Sequence, residues 1–229
     1  MVKSYFVTIG FSETYLLRLL TETSAKEEDR FVIVVPSPIL EGVKVAIENL
    51  KVNSSRLNYP SPEVHEISLS DFPSTLSQLI DLLLPLPEPI ITELSVGMRM
   101  LNTLLFLSIL ISRKKYTVYV RDEGGGAKVI SFNSEEVNSL SRDLSNEEIK
   151  MLYSIDKNNG IRPRDLAIDL GKSEKTVLNK LSDFKKYGYI VIKGKDRLIE
   201  LTPLGKIALT IHNESKKYLS KVEHTKCES

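Results

Sequence analysis

The sequence is poor in the residues that build disulfide frameworks and metal centres. Cys227 is the only cysteine and lies in a polar C-terminal segment, so one chain can form neither a disulfide nor a cysteine-based zinc site. The three histidines, His65, His212 and His224, are scattered along the chain. We therefore predict no metal site, no cofactor and no catalytic residue, and we expect a cytoplasmic protein.

Long apolar runs are also missing. The longest apolar block, residues 100–111, is interrupted by Asn102, Thr103 and Ser108, and it is shorter than the ~20 residues that cross a bilayer. The N-terminus lacks a basic region followed by an apolar stretch, which a signal peptide would have. We expect a soluble protein with no membrane partner, in which this block is a buried helix.

The whole chain has almost no net charge, but its N-terminal and C-terminal parts carry net charges of opposite sign. The chain has 31 basic and 30 acidic side chains, of which residues 1–140 carry 13 and 17 and residues 141–229 carry 18 and 13. An acidic N-terminal part and a basic C-terminal part predict two domains with different partners. The basic part is the candidate for nucleic-acid binding.

Short β-branched or aromatic segments alternate with helical patterns through residues 1–132. Strands are predicted at 5–9, 31–35, 64–69, 90–94 and 117–120, and helices at 13–23, 40–51, 71–84 and 98–113. This alternation predicts an α/β domain over residues 1–132, with a mostly parallel sheet and helices on both faces. Residues 128–132 follow three glycines and are predicted to return as an antiparallel edge strand.

The C-terminal part has the signals of helix, turn, helix and hairpin in that order. Ser145 and Ser173 are predicted helix caps, Pro163 suits the first turn of a helix, and Gly171 permits the turn between two helices. Two short apolar runs flank residues 194–197, as the strands of a wing would. We predict a linker at residues 133–144, with a helical part around residues 135–140. It is followed by a winged helix-turn-helix domain with a C-terminal helix at residues 145–229.

Polar and basic side chains cover the face of the predicted recognition helix opposite its apolar stripe. Asn can bind adenine, Lys can bind guanine or phosphate, and Thr can contact a thymine methyl group. The candidate residues for binding double-stranded DNA are Arg162, Ser173, Lys175, Thr176, Asn179, Lys180, Lys193, Lys195 and Arg197. Two alternatives are that these lysines only keep a helix soluble, or that the winged domain binds protein.

Two strand-to-helix junctions carry glycine and polar residues at the edge where parallel sheets bind ligands. Gly10 allows a sharp turn before Ser12, which lies at a helix N-terminus, a natural site for anionic oxygens. Gly97 precedes Arg99, whose planar donors suit phosphate or a base. Neither junction has the spacing of a dinucleotide fingerprint or a Walker loop.

The chain resembles the archaeal CRISPR-associated transcriptional regulators of type I-A systems. The resemblance is carried by residues 10–13, 97–100 and 121–126, followed by a winged helix. Members of that family pair a CRISPR-associated Rossmann-fold (CARF) domain with a winged helix-turn-helix, and the resemblance covers nearly the whole chain. It implies a Rossmann-like sheet and a homodimer whose CARF domains bind cyclic tetra-adenylate, a cyclic oligoadenylate second messenger. It also implies winged domains that bind promoters of CRISPR arrays or genes.

Carried over by position, the resemblance implies ligand-binding roles for Gly10, Phe11, Ser12, Glu13, Ser95, Val96, Gly97, Met98, Arg99 and Asn102. Pro36 and Ser37 face the same rim by topology, and residues 121–126 are predicted to form a structural hairpin or a dimer contact. Two alternatives stay open. A ring nuclease that cleaves the messenger through a ribose 2′-hydroxyl would need only positioning, and a regulator could sense another metabolite.

Overall fold

The computed structural model describes residues 2–122, 128–158, 160–194 and 197–212, and the chain divides into two compact units, residues 1–134 and 135–229. In the first unit, strands and helices alternate as the periodicity predicts. The strands are β1 (Ser4–Thr8), β2 (Arg30–Pro36), β3 (Pro62–Ile67), β4 (Ile90–Glu93), β5 (Tyr116–Arg121) and β6 (Val129–Asn133). The helices are α1 (Thr14–Glu22), α2 (Glu41–Arg56), α3 (Phe72–Leu83) and α4 (Arg99–Ser112).

The strands form one sheet in the order β3-β2-β1-β4-β5-β6. Strands β1 to β5 are parallel and β6 pairs antiparallel with β5, with Arg121 opposite Val129. The prediction of an antiparallel edge strand is therefore confirmed, while residues 123–127 of the predicted hairpin lie outside the described residues. The strand order reverses between β1 and β4, which is the switch point of a Rossmann-like sheet.

Apolar side chains fill the space between the sheet and its helices. Tyr5, Val7 and Ile9 share a core with α1 and α2, and Phe6 points to the opposite face because side chains alternate along a strand. The other two helices, α3 and α4, pack against each other and bury Leu79 and Leu105. This arrangement keeps the sheet covered while the carboxyl ends of its central strands stay accessible.

In the first unit, two predicted elements differ from the structure by more than one residue at a boundary. The strand predicted at residues 64–69 occupies Pro62–Ile67, because the Ser68 carbonyl accepts hydrogen bonds from Thr75 Oγ1 and Gln78 Nε2 of α3 instead of pairing with a strand. The helix predicted at residues 40–51 continues to Arg56.

The second unit is a winged helix-turn-helix. Its elements are α5 (Ser134–Leu140), α6 (Asn146–Asn158), α7 (Pro163–Asp169), α8 (Glu174–Lys186), β7 (Ile190–Lys193) and β8 (Leu198–Leu201), followed by a helix at residues 203–212. Strands β7 and β8 pair antiparallel as the wing. The segment predicted as a linker contains α5, and Leu140 of α5 packs against the apolar core of this unit.

The predicted helix caps are present. Ser145 Oγ accepts from the Glu148 amide at 3.3 Å, and Ser173 Oγ accepts from the Thr176 amide at 3.2 Å. At the start of α6, the Glu148 side chain also accepts from the Ser145 amide at 2.9 Å, so the two residues form a reciprocal capping box.

No helix within the described ranges is long and apolar enough to cross a membrane. The same ranges hold no group of three or more histidine, cysteine, aspartate or glutamate side chains placed to bind a metal ion.

Candidate ligand cleft and candidate DNA-binding surface

Two glycine turns meet at the switch point of the sheet. Gly10 follows β1 and Gly97 follows β4, and a Cβ atom on Gly10 would lie 3.2 Å from the Gly97 amide nitrogen. Gly97 has φ +82°, and a Cβ there would lie 2.3 Å from Thr8 Oγ1. Both the backbone conformation and the available space therefore require glycine at position 97.

The turn after β4 is held from below by two buried polar side chains. The Thr8 hydroxyl lies 2.8 Å from the Val96 carbonyl oxygen and 2.6 Å from Asn102 Oδ1. Asn102 Nδ2 donates to the carbonyl oxygens of Leu94, at 3.1 Å, and Val96. These bonds satisfy the carbonyl oxygens of Leu94 and Val96 in the turn.

The junctions after β1, β2 and β4 enclose a cleft of about 490 Å³. Its walls are mostly apolar, so it suits a flat aromatic or apolar group better than a free phosphate. Phe11 is 73% exposed at its edge, and the Phe11 ring lies against Gly42 of α2. The lining residues are Ile9, Gly10, Phe11, Ser12, Tyr15, Pro36, Ile39, Leu40, Val43, Ser95, Val96, Gly97 and Met98.

Eight of the twelve predicted ligand residues line this cleft, namely Gly10, Phe11, Ser12, Pro36, Ser95, Val96, Gly97 and Met98. The other four do not: Glu13 occupies the N-cap position of α1, Ser37 donates its amide to the Ile67 carbonyl, Arg99 is exposed at the first position of α4, and Asn102 is buried below the turn. Sequence reasoning missed Tyr15 and the start of α2. The helical signal after Pro36 could have located Ile39, Leu40 and Val43.

An ion-pair network of buried Arg121 and Glu93 with half-exposed Glu22 anchors the same turn from the side. Arg121 Nε donates to Glu93 Oε2 at 2.7 Å, and the Arg121 guanidinium forms a bidentate pair with Glu22 at 3.0 and 2.7 Å. Hydrogen bonding and charge from Arg121 lower the pKa of Glu22 against the opposing effect of burial. The Ser95 amide donates to Glu93, and Ser95 Oγ accepts from the Arg121 amide. Arg121 therefore has a structural contact within its own domain.

The outer face of α8 presents a row of polar and basic side chains. Val177, Leu181 and Phe184 are buried in the winged core. Opposite this stripe, at helical spacing, lie the exposed residues Lys175, Asn179, Ser182 and Lys186. Sequence reasoning found the first two of this row. The spacing of four, three and four residues would also have identified Ser182 and Lys186.

Thr176 and Lys180 lie on the flank of α8, beside the start of α6. The Thr176 hydroxyl is 2.8 Å from the Ser173 hydroxyl, and Lys180 Nζ is 3.5 Å from Glu148 Oε1. Glu148 is only 3% exposed. Burial raises the pKa of Glu148, but hydrogen bonds from Ser145 and Arg142 outweigh burial and lower this pKa to about 2. Lys180 therefore faces a buried carboxylate.

The wing carries the remaining basic candidates. Lys193 Nζ is 2.7 Å from Glu200 Oε2 of the neighbouring strand. Arg197 is exposed in the tight turn between β7 and β8, with φ +53°. Arg162 is exposed at the N-cap position of α7, and Lys195 lies outside the described residues.

The geometry defines a class of protein in which a Rossmann-like sheet domain, with a cleft at its switch point, shares one chain with a winged helix-turn-helix domain. Residues 3–133 match the family model described as the Csa3 CRISPR-associated Rossmann-like domain. The chain belongs to this Csa3 family of CRISPR-associated proteins.

A curated relative and two solved structures are similar to this chain. The relative is the Saccharolobus solfataricus protein named "CRISPR locus-related putative DNA-binding protein Csa3", 56% identical over 89% of this chain and 86% of its own length. Can2 from Sulfobacillus thermosulfidooxidans, solved with cyclic tetra-adenylate, is 10% identical over 91% of this chain and 62% of its own, with TM-score 0.43. Streptococcus pneumoniae FabT, solved with DNA, is 25% identical over 40% and 69%, with TM-score 0.32.

Proposed function

We propose that this protein is a ligand-responsive DNA-binding regulator of CRISPR genes or arrays, in which residues 1–132 sense cyclic tetra-adenylate and residues 145–229 bind DNA. The observation that carries the sensing role is the cleft where the turns at Gly10 and Gly97 meet, in a domain of a CRISPR-associated family. The name of the 56% identical relative supports the DNA-binding role.

The chemistry of the cleft suits a cyclic nucleotide. The aromatic rings of Phe11 and Tyr15 line it with apolar neighbours, as a base requires. The exposed side chain of Arg99 follows Met98 at the N-terminus of α4, where a planar cation and the helix dipole both favour phosphate. A ring with four phosphates and two-fold symmetry matches a homodimer in which each subunit contributes one cleft.

The winged domain would place α8 in the major groove, with Lys175 and Asn179 toward the base edges and the wing beside the phosphates. Messenger binding changes DNA binding only if the two conformations of the dimer differ in affinity for the messenger. We expect this difference in affinity, and we therefore expect DNA affinity to change when the messenger is added.

The sensing role is tested by titration calorimetry with cyclic tetra-adenylate on the full chain. We expect saturable binding with one ring per two chains and weaker binding for Arg99→Ala. Arg56→Ala is the matched control, because Arg56 is an exposed arginine at the far end of α2. Equal affinity for Arg99→Ala and the wild type would remove Arg99 from the site, and no binding to the wild type would refute the sensing role.

The same samples test the ring-nuclease alternative. Incubation of labelled messenger with the protein, followed by chromatography, should return intact cyclic tetra-adenylate. Linear products that appear at a rate proportional to protein concentration would reassign the domain as an enzyme.

A further inference from the structure

The Glu148 carboxylate joins the recognition helix to the segment that precedes α6. Its Oε1 accepts from Arg142 Nη2 at 2.8 Å and lies 3.5 Å from Lys180 Nζ, while its Oε2 accepts from the amide and the hydroxyl of Ser145, each at 2.9 Å. One carboxylate with almost no exposed surface therefore has partners on α8 and on residues 142–145.

The segment from α5 to α6 is also fixed to the C-terminal end of α8. The Arg142 guanidinium lies 4.4 Å from the centre of the Tyr187 ring, which is a cation–π contact. The Tyr189 hydroxyl donates to the carbonyl oxygen of Ser139 in α5. Ser139 and Arg142 thus contact the residues that follow α8.

Lys180 is placed differently from the lysines of the exposed row. Lys175 and Lys186 lie opposite the buried stripe of α8, whereas Lys180 is half-buried on the flank and faces Glu148. A lysine that contacts a DNA phosphate must release its protein partner or share it. The 4% exposure of the Glu148 side chain makes release costly, because a buried carboxylate would lose a cationic partner.

We propose that Glu148 and Lys180 are positioning residues that set the orientation of α8 for DNA reading, and that Lys180 acts through Glu148 instead of through a DNA phosphate. This inference rests on the proposed DNA-binding function and deepens it. It changes the expected role of Lys180 from a contact with guanine or phosphate, which the sequence alone suggested, to a tether between α8 and residues 142–148.

The test compares the salt dependence of DNA affinity for Lys180→Ala and Lys175→Ala in the full chain. A lost phosphate contact reduces the slope of log affinity against log salt by about 0.9, which we expect for Lys175→Ala. For Lys180→Ala we expect about tenfold weaker binding with an unchanged slope, as loss of a charge-assisted bond predicts. Lys180→Arg should restore the affinity, because its guanidinium can still reach Glu148.

Glu148→Gln distinguishes a tether between Lys180 and Glu148 from a contact between Lys180 and a DNA phosphate. We expect it to weaken DNA binding, and the double variant with Lys180→Ala to bind no more weakly than Glu148→Gln alone, since paired residues are not additive. Lys51→Ala, which removes an exposed lysine paired with Glu48 on α2, should change neither affinity nor slope.

Two DNA-binding results would overturn the inference: a Lys180→Ala slope reduced as much as that of Lys175→Ala, or unchanged or tighter binding by Glu148→Gln. Failure of the wild-type chain to bind any CRISPR promoter fragment would instead refute the proposed function. A double-mutant cycle of melting temperatures, measured without DNA for Glu148→Gln, Lys180→Ala and the double variant, then still reports whether the two residues are coupled. Additive shifts in melting temperature would overturn the tether itself.

Discussion

The candidate ligand cleft and the candidate DNA-binding face of α8 are built from different parts of the chain. The cleft is formed by two backbone turns and apolar walls, and the close approach of Gly10 and Gly97 sets its shape. The outer face of α8 is formed by exposed side chains on a regular helix. Ligand binding by the cleft should therefore be weakened by substitutions that add atoms, whereas DNA binding by the helix face should be weakened by substitutions that remove polar and charged groups.

The largest expected effect comes from adding one methyl group to the cleft. Gly97→Ala should destabilise the N-terminal domain by about 2–5 kcal/mol, from left-handed backbone strain of about 1–2 kcal/mol and overpacking against Thr8 of about 1–3 kcal/mol. Messenger binding should fall with it, as measured by calorimetry and thermal melting.

Gly171→Ala provides the control for backbone strain alone. Gly171 has φ +61°, but a Cβ there would have no neighbour within 4 Å. This variant should lose only about 1–2 kcal/mol of stability and keep full messenger affinity. Equal losses in the two variants would show that the contact with Thr8 is unimportant.

Acid should weaken the side-chain network beside the recognition helix. The folded-state pKa of Glu148, about 2, lies below its ordinary value of 4.5. Glu148 therefore stabilises the fold fully above pH 4.5, and the contribution of about 3 kcal/mol is lost as the pH falls toward 2. Calorimetric melting between pH 5 and 2 measures this loss, and Glu148→Gln should flatten the curve in that window. A curve of equal slope for the variant would assign the acid sensitivity to other carboxylates.

Removing a polar group from the exposed row should change specificity and leave folding intact. Asn179→Ala should reduce discrimination at one base pair by about 1–3 kcal/mol, because an amide that pairs with adenine is lost. A gel-shift panel with single-base operator variants measures this change. Ser182→Ala, three residues along the same row, tests whether the row extends toward Lys186. An unchanged panel for both variants would mean that another surface reads the bases.

The smallest expected effect is at the rim of the cleft. A Cβ on Gly42 would lie 2.7 Å from Phe11 Cδ1, a ring atom of an exposed side chain. Gly42→Ala should therefore turn the Phe11 ring at little cost to stability, within about 0.5 kcal/mol. Messenger affinity should change only if Phe11 contacts the ligand, and calorimetry would show this. Phe11→Ala, measured in parallel, sets the largest change that loss of the ring can cause.

Most of the fold could be predicted from local sequence patterns. Apolar runs with alternating periods located each strand of the sheet and the helices between them, and the caps at Ser145 and Ser173 located the starts of α6 and α8. The end of β3 was less predictable. Its true boundary depends on hydrogen bonds from Thr75 and Gln78, which are separated from Ser68 by a turn of chain.

The parts of the candidate site that depend on backbone turns were predictable. The parts that depend on hydrogen bonds between distant side chains were less predictable. The glycine turns at residues 10 and 97 were located because a sharp turn after a buried strand has few sequence solutions. Asn102 could not be assigned from local sequence. Its amide supports the turn after β4, and its partner Thr8 lies 94 residues earlier in the chain.

The sequence by itself determined the order of strands and helices along the chain, the position of the winged domain and the location of both glycine turns. These features depend on periodicity and on residues with special backbone freedom. Only the tertiary structure decided that Arg121 pairs with Glu93 and Glu22, and that Lys180 faces Glu148. The reason is physical: the partner of a charged side chain depends on which distant residues share its space once water is excluded.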